Sequence, residues 1–233
     1  DEFNAAYEKA RLAGNKLHVI ERPKNISPLC IDVDLRFKDV YNKREYNIKH
    51  VKCIISYVNE IINKYVAIDE KKILAFVTEK PKPSKDVKNK EYKDGFHIMY
   101  PFIPLTKKMR YIITDMITTE MGKNKTFNEI PFCNQISDVI DTSVVYNNGW
   151  LMYGSCKYKG QTYKLTKIYS FNVKSIKLEK YTKNISCILS TRKFTEEDEV
   201  PLRASTQSED FKRRSKSIMD KYENTSKKNM KKM

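Results

Sequence analysis

Two aspartates separated by one residue, Asp32 and Asp34, are the first groups in this sequence with spacing suited to chemistry. They sit in Leu29-Cys-Ile-Asp-Val-Asp-Leu-Arg-Phe37, where Leu29, Ile31, Val33, Leu35 and Phe37 alternate with Cys30, Asp32, Asp34 and Arg36. A period of two predicts a half-buried strand carrying both carboxylates on its polar face, roughly 6.5–7 Å apart along the backbone. Carboxylates so placed can share divalent cations, and hard oxygen donors favour Mg²⁺ or Mn²⁺ over zinc. Two-metal sites hold their ions about 3.5–4 Å apart and want a third carboxylate. The alternative is an edge strand whose acids face water, although like charges on one face repel unless a cation intervenes.

Other groups could complete such a site. His97 lies in Asp94-Gly-Phe-His-Ile-Met-Tyr-Pro101 and points away from Phe96, Ile98 and Tyr100. On that polar face an imidazole can donate to a phosphate oxygen, or serve as a hydrogen-bonded structural residue. Asp141 ends the apolar pair Val139-Ile140 and precedes Thr142-Ser143, which suits a third carboxylate or, equally, a helix cap or turn. Tyr153-Gly-Ser-Cys-Lys157 offers a glycine for close approach, a hydroxyl on Ser155 and an ammonium on Lys157. A turn of that kind can hold a triphosphate with its backbone N–H groups, and a plain hairpin would explain the same letters. It lacks the Walker spacing, so an ATPase P-loop is not supported.

The elements that must position these groups are readable from periodicity. Apolar residues from Ile48 to Tyr65 recur at helical spacing, as do those from Leu105 to Ile117. Strands are expected over 73–77 and over 96–100, the latter stopped by Pro101. Further strands are expected over 150–156 and 162–171, joined by a turn at Lys159-Gly160, and over 173–178 and 185–190. Residues 79–94, rich in Lys, Pro and Asp, predict a mobile surface loop. Helices and strands without strict alternation indicate an α+β, or mixed α/β, core.

Composition narrows the partners. Lys and Arg number 45 against 29 acids, a net charge of +16, which favours a polyanion such as nucleic acid. With 40% hydrophobic and 11% aromatic residues the chain still predicts a packed core. Its five scattered cysteines contain no CxxC pair, so no zinc site or disulfide framework is indicated. Reduced thiols imply an intracellular compartment. No apolar run approaches the roughly 20 residues that span a bilayer, so no membrane partner is expected. From Arg203 onward, ten Lys or Arg face four acids among few apolar residues, which reads as a flexible basic tail, partly helical over 211–222.

Taken in order, Asp32-Val-Asp34, Gly95-Phe-His97 and Ile140-Asp141 resemble the three motifs of archaeo-eukaryotic primases. The likeness is strongest to the primase domain of primase-helicases from nucleocytoplasmic large DNA viruses, whose last motif runs into a Tyr-Gly-Ser-x-Lys segment. It covers roughly residues 28–165. It implies a small α/β unit beside an RNA-recognition-motif-like sheet, with the site between them. It also implies that Asp32, Asp34 and Asp141 ligate two Mg²⁺ or Mn²⁺ ions and that His97, Ser155 and Lys157 hold a nucleoside triphosphate. Gly95 stands where many relatives carry Ser, and Leu151-Met152 where many carry Arg. Phosphate binding then shifts to Lys157 and a second cation, for which Arg36 is the candidate.

The implied activity is template-directed synthesis of primers on single-stranded DNA, with residues 1–202 as the catalytic domain. Residues 203–233 would link it to a helicase, in a host cytoplasm or virus factory. Exposed tyrosines among the 15 could stack template bases. Rival readings are a metal-dependent nuclease and a non-catalytic nucleic-acid-binding module of a helicase. A DxD glycosyltransferase is disfavoured by the basic charge.

Overall fold

The computed structural model describes residues 2–38, 43–86, 90–146 and 148–230. From the N-terminus run helix α1 (Glu2–Leu12), the two-residue strand β1 (Ile20–Glu21) and the long strand β2 (Ser27–Phe37). Helix α2 (Ile48–Tyr65) leads through β3 (Ala75–Glu79) and β4 (Ser84–Asp86) to the longest strand, β5 (Glu91–Leu105). Then come helix α3 (Lys107–Lys123), the short α4 (Ser143–Tyr146), β6 (Trp150–Leu151), β7 (Lys164–Tyr169) and β8 (Ser175–Ile176). Helices α5 (Ile185–Ile188) and α6 (Glu209–Met230) close the order.

The main sheet runs β2-β5-β3-β7-β8, antiparallel throughout, with β4 folded onto β5. Strand β2 behaves as its alternation demands: Leu29, Ile31, Val33, Leu35 and Phe37 are almost wholly buried, while Asp32, Asp34 and Arg36 keep partial access to solvent. On β5 the residues opposite Val33, Ile31 and Leu29, which are Phe96, Ile98 and Tyr100, are wholly buried, and the Tyr100 hydroxyl donates to Asn59 on α2 at 2.8 Å. This face therefore meets the helices. Helix α2 covers it with Val51, Ile54, Ile55, Val58 and Ile62, and α3 adds Ile112, Ile113, Met116 and Ile117. Burying each of these side chains contributes about 1.5–3 kcal/mol. The start of α2 is fixed by Asn47, whose side chain accepts from Lys49 N–H and whose N–H donates to His50 Nδ1.

The opposite face of the sheet carries Asp32, Thr78 and His97. A thinner layer covers it, made of α1, the β1–β6 pair and the chain from Met152 to Tyr163. The expected α+β architecture is the one found. Among the described residues no helix is long and apolar enough to cross a membrane.

Several elements differ from expectation. Strand β5 does not stop at Pro101 but continues to Leu105. Its pairing with β2 slips between Pro28 and Leu29, so that Leu29 faces Tyr100 while Pro28 faces Pro104. The extra residues bulge out of the ladder where prolines have no N–H to give. The strand expected over 185–190 is helix α5, because a short apolar run does not separate helix from strand by periodicity. The expected loop over 79–94 contains the β4–β5 hairpin, held by charged pairs such as Lys93 with Asp86 at 2.8 Å and so invisible to hydrophobic patterning. Residues 87–89 of that loop lie outside the described residues.

The segment expected as a flexible basic tail is largely helix α6, and its first half is docked. Phe211 is 8% exposed and packs on Tyr65 with ring centroids 4.7 Å apart; Tyr222 meets Tyr111 at 5.3 Å. Arg203 donates through Nε to the Val66 carbonyl at 3.0 Å, tying the preceding turn to the end of α2. Three or four apolar residues spaced along a Lys-rich helix suffice to anchor it, although its mean composition reads as linker. Residues 231–233 of that tail lie outside the described residues.

Candidate active site

Two backbone ladders bring the acids together. The β2–β5 register sets Asp32 opposite His97 and Asp34 opposite Gly95. On the other edge of β2, Val33 bridges to Ile140, with Asp34 N–H donating to Val139 O at 2.8 Å and Asp141 N–H to Asp32 O at 3.0 Å. This antiparallel pairing places Asp141 across from Asp32 on the same face. Asp32 is thus flanked by His97 on one side and Asp141 on the other. The close approach of β2 and β5 explains Gly95: a Cβ built there would lie 1.8 Å from the Val33 carbonyl oxygen. No hydroxyl-bearing residue fits that position in this register.

The His97 ring is clamped between aromatic neighbours. It stacks on Tyr163 with centroids 3.6 Å apart and 19° between planes, and leans on Trp150 at 4.5 Å. Its Nε2 stands 3.4 Å from Asp32 Oδ1. Burial, reinforced by Lys80 and Lys157, holds the imidazole pKa down to about 3. The ring is therefore neutral, and its approach to Asp32 is not an ion pair.

Asp32 is strained in the opposite sense. Burial above all, with Asp34 and Asp141 adding to it and Lys80 and Lys157 pulling back, raises its pKa to about 7. Burial also raises Asp34, opposed by Lys93, Lys80 and Arg36. Mutually repelling carboxylates on one half-buried face are the electrostatic setting that a bound cation relieves.

The site opens into a cleft of about 590 Å³, lined among others by Asp32, Asp141, His97, Tyr163, Lys80 and Lys157. Lysines around acids suit a ligand that is itself anionic and carries cations with it. The donor set is all hard oxygen, as Mg²⁺ or Mn²⁺ requires. Its side chains are not yet converged: among the described residues no three His, Cys, Asp or Glu already surround one point. Asp141 Oδ1 accepts from Ser143 N–H at 2.9 Å, capping the turn into α4 as the alternative reading of this residue anticipated. That bond engages Oδ1 alone and leaves Oδ2 available to a cation.

The family described as the C962R protein N-terminal AEP domain matches residues 1–169. The chain belongs to the archaeo-eukaryotic primase (AEP) family. It is 34% identical over 156 residues to a protein of Acanthamoeba polyphaga mimivirus named as a helicase, L207/L206, covering 67% of this chain. It is 29% identical over 208 residues to a protein of Invertebrate iridescent virus 6 named as helicase 184R, covering 80% of this chain. The matched part of this chain spans only 16% and 21% of those two proteins' lengths.

Within the AEP domain the strand pairings bring Asp32, Asp34, Asp141 and His97 onto one face, and Lys157 lines the cleft with Asp32, Asp141 and His97. Ser155 does not join them. Its hydroxyl accepts from Val19 N–H at 3.0 Å and pairs with the Tyr7 hydroxyl at 2.8 Å, while its own N–H donates to Met152 O. The cause is a parallel bridge between Leu17 and Ser155 that stitches the Tyr153–Lys157 turn to the chain following α1. Gly154, at φ 94°, serves the same packing, since a Cβ there would lie 2.7 Å from Arg11 Cδ. Arg36 is turned to carboxylates, 3.5 Å from Glu91 and 3.7 Å from Asp34, and is not a lining residue of the cleft.

Sequence reasoning missed four contributors. Lys80 was hidden in a charge-rich stretch assigned to solvent. Tyr163 and Trp150 looked like ordinary strand aromatics, and only the fold shows them gripping His97. Tyr7 lies in a helix with no motif; its hydroxyl also donates to Tyr153 O at 3.0 Å.

Proposed function

We propose that this AEP domain is the nucleotidyl-transfer module of a viral primase-helicase, joining nucleotides on a single-stranded DNA template to make primers. The observation that carries this reading is the meeting of Asp32, Asp34 and Asp141 on one face, with His97 paired to Asp32 at the mouth of a lysine-lined cleft. Asp32, Asp34 and Asp141 would hold Mg²⁺ or Mn²⁺, which when bound would acidify the attacking 3′-hydroxyl and neutralise the triphosphate. Lys157 would bind phosphate oxygens, and neutral His97, fixed by its aromatic clamp, would donate a hydrogen bond to them. Ser155 and Tyr7 would act indirectly, by setting where the Lys157 turn sits. The surplus of 16 positive charges supports contact with a template strand. The helicase names of the two viral relatives support a fusion in which α6 leads toward a helicase region.

A second reading has one observation in its favour. Because no three acids already converge among the described residues, the domain could bind nucleic acid without catalysis. Incubation with a labelled primer–template, an unprimed single strand, both nucleotide sets and Mg²⁺ or Mn²⁺ separates the possibilities. Metal-dependent extension or new primers, lost in the Asp32→Ala, Asp34→Ala double variant, support nucleotidyl transfer. Metal-dependent shortening supports a nuclease. Salt-sensitive binding with neither outcome supports the non-catalytic module.

A further inference from the structure

Among the lysines that line the cleft, Lys80 belongs to no motif and sits deepest against the acids and His97. Lys80 follows the last residue of β3 and lines the same cavity as Asp32, His97 and Asp141. Among the described residues it forms no ion pair, whereas Lys93 closes on Asp86 and Arg36 on Asp34 and Glu91. Its ammonium stands 5.0 Å from the centroid of the Tyr163 ring, the ring on which His97 stacks.

Its placement is built rather than incidental. The Lys80 carbonyl accepts from Arg44 Nη2 at 2.6 Å, and the same guanidinium binds Glu79 at 2.7 Å and the buried Asp94 at 3.1 Å. Glu79 is held in turn by the Tyr46 hydroxyl at 2.9 Å and by Thr166. Four chain segments thus fix the point from which the Lys80 stem leaves the sheet. A brace of this kind would be superfluous for a lysine that only solvates a surface. Burial lowers the ammonium's pKa, against the pull of Asp34, Asp32 and Asp94, so the group is partly stripped of water and lacks a close anion.

We propose that Lys80 is a substrate-contacting residue that grips the β- and γ-phosphates of the incoming nucleotide, alongside Lys157. The inference rests on the nucleotidyl-transfer reading and adds to it the residue that discriminates triphosphate from shorter phosphate chains. Arg44 is its positioning residue, acting through the Lys80 backbone.

The test is equilibrium binding of a fluorescent nucleoside triphosphate and the matching monophosphate, with Mn²⁺, to wild type, Lys80→Gln, Lys80→Arg and Arg44→Gln. A lost charge-assisted contact predicts that Lys80→Gln weakens triphosphate affinity about tenfold while monophosphate affinity stays within about twofold. Lys80→Arg should restore most of the loss, and Arg44→Gln should reproduce part of it. Unchanged triphosphate affinity in Lys80→Gln overturns the proposal, as does an equal fall for both nucleotides. Failure of wild type itself to bind triphosphate would sink the nucleotidyl-transfer reading; wild-type binding that Lys80→Gln leaves untouched sinks only this inference.

Discussion

Asp32 and Asp141 face each other across a single antiparallel bridge, the Asp141 amide donating to the Asp32 carbonyl at 3.0 Å. Their carboxylates come from distant parts of the chain, yet their separation is set by backbone hydrogen bonds and not by flexible side chains alone. The same strand delivers Asp34 to that face and, through β5, presents His97 to Asp32. The geometry makes specific demands on substitutions at and around the site.

Replacing Asp32 with Asn should stabilise the metal-free protein at pH 8. The folded-state pKa of Asp32 is raised from 3.8 to about 7, so the fold favours its protonated form. That advantage is complete below about pH 4 and disappears as pH rises through 7, leaving an ionised carboxylate that burial penalises. The expected gain on neutralisation at pH 8 is on the order of 1–3 kcal/mol. Thermal melts of both proteins should differ at pH 8 and converge near pH 4; identical melts at pH 8 would contradict the burial argument.

Gly95→Ser, which would introduce the hydroxyl that the family resemblance implies here, should instead damage the fold. The new Cβ would lie 1.8 Å from Val33 O, forcing β2 and β5 apart where Asp34 sits. A loss of about 2–4 kcal/mol is expected, read as a lower melting temperature. Restored Ser-type activity at unchanged stability would show that the register is wrong.

Ser155→Ala and Lys157→Ala should separate positioning from binding. Removing the Ser155 hydroxyl leaves Val19 N–H without its acceptor and should lower stability by about 1–3 kcal/mol. Lys157 is exposed, so Lys157→Ala should leave melting unchanged and raise the apparent KM for nucleotide. The reverse pattern in melting and KM would return Ser155 to the phosphate site.

Phe211→Ala tests the docked tail helix. Phe211 is buried against Tyr65, and its truncation should cost about 3 kcal/mol. A melting temperature unchanged by this substitution would restore the reading of residues after 202 as a flexible linker.

Much of this architecture was legible in the sequence because it follows from periodicity. The alternation of Leu29 to Phe37 announced both a strand and the face its aspartates occupy, and the apolar spacing from Ile48 to Tyr65 announced α2. What remained hidden depends on polar groups meeting at long range. The turn at Tyr153–Lys157 could be read as a phosphate loop, but nothing local reveals that Tyr7 and Val19 claim Ser155. Lys80 was likewise lost among its charged neighbours, since only the Arg44 brace distinguishes it from a solvated lysine. The tail was misjudged because composition averages over α6, whereas docking depends on a few residues such as Phe211 and Ile218.

The most direct measurement is an anomalous difference map from crystals grown with Mn²⁺ and a non-hydrolysable nucleoside triphosphate. Manganese peaks bounded by Asp32, Asp34 and Asp141 are predicted, with the phosphates near His97, Lys157 and Lys80. Saturating Mn²⁺ without a peak at those carboxylates, or with the peak out of reach of Asp141, would contradict the account.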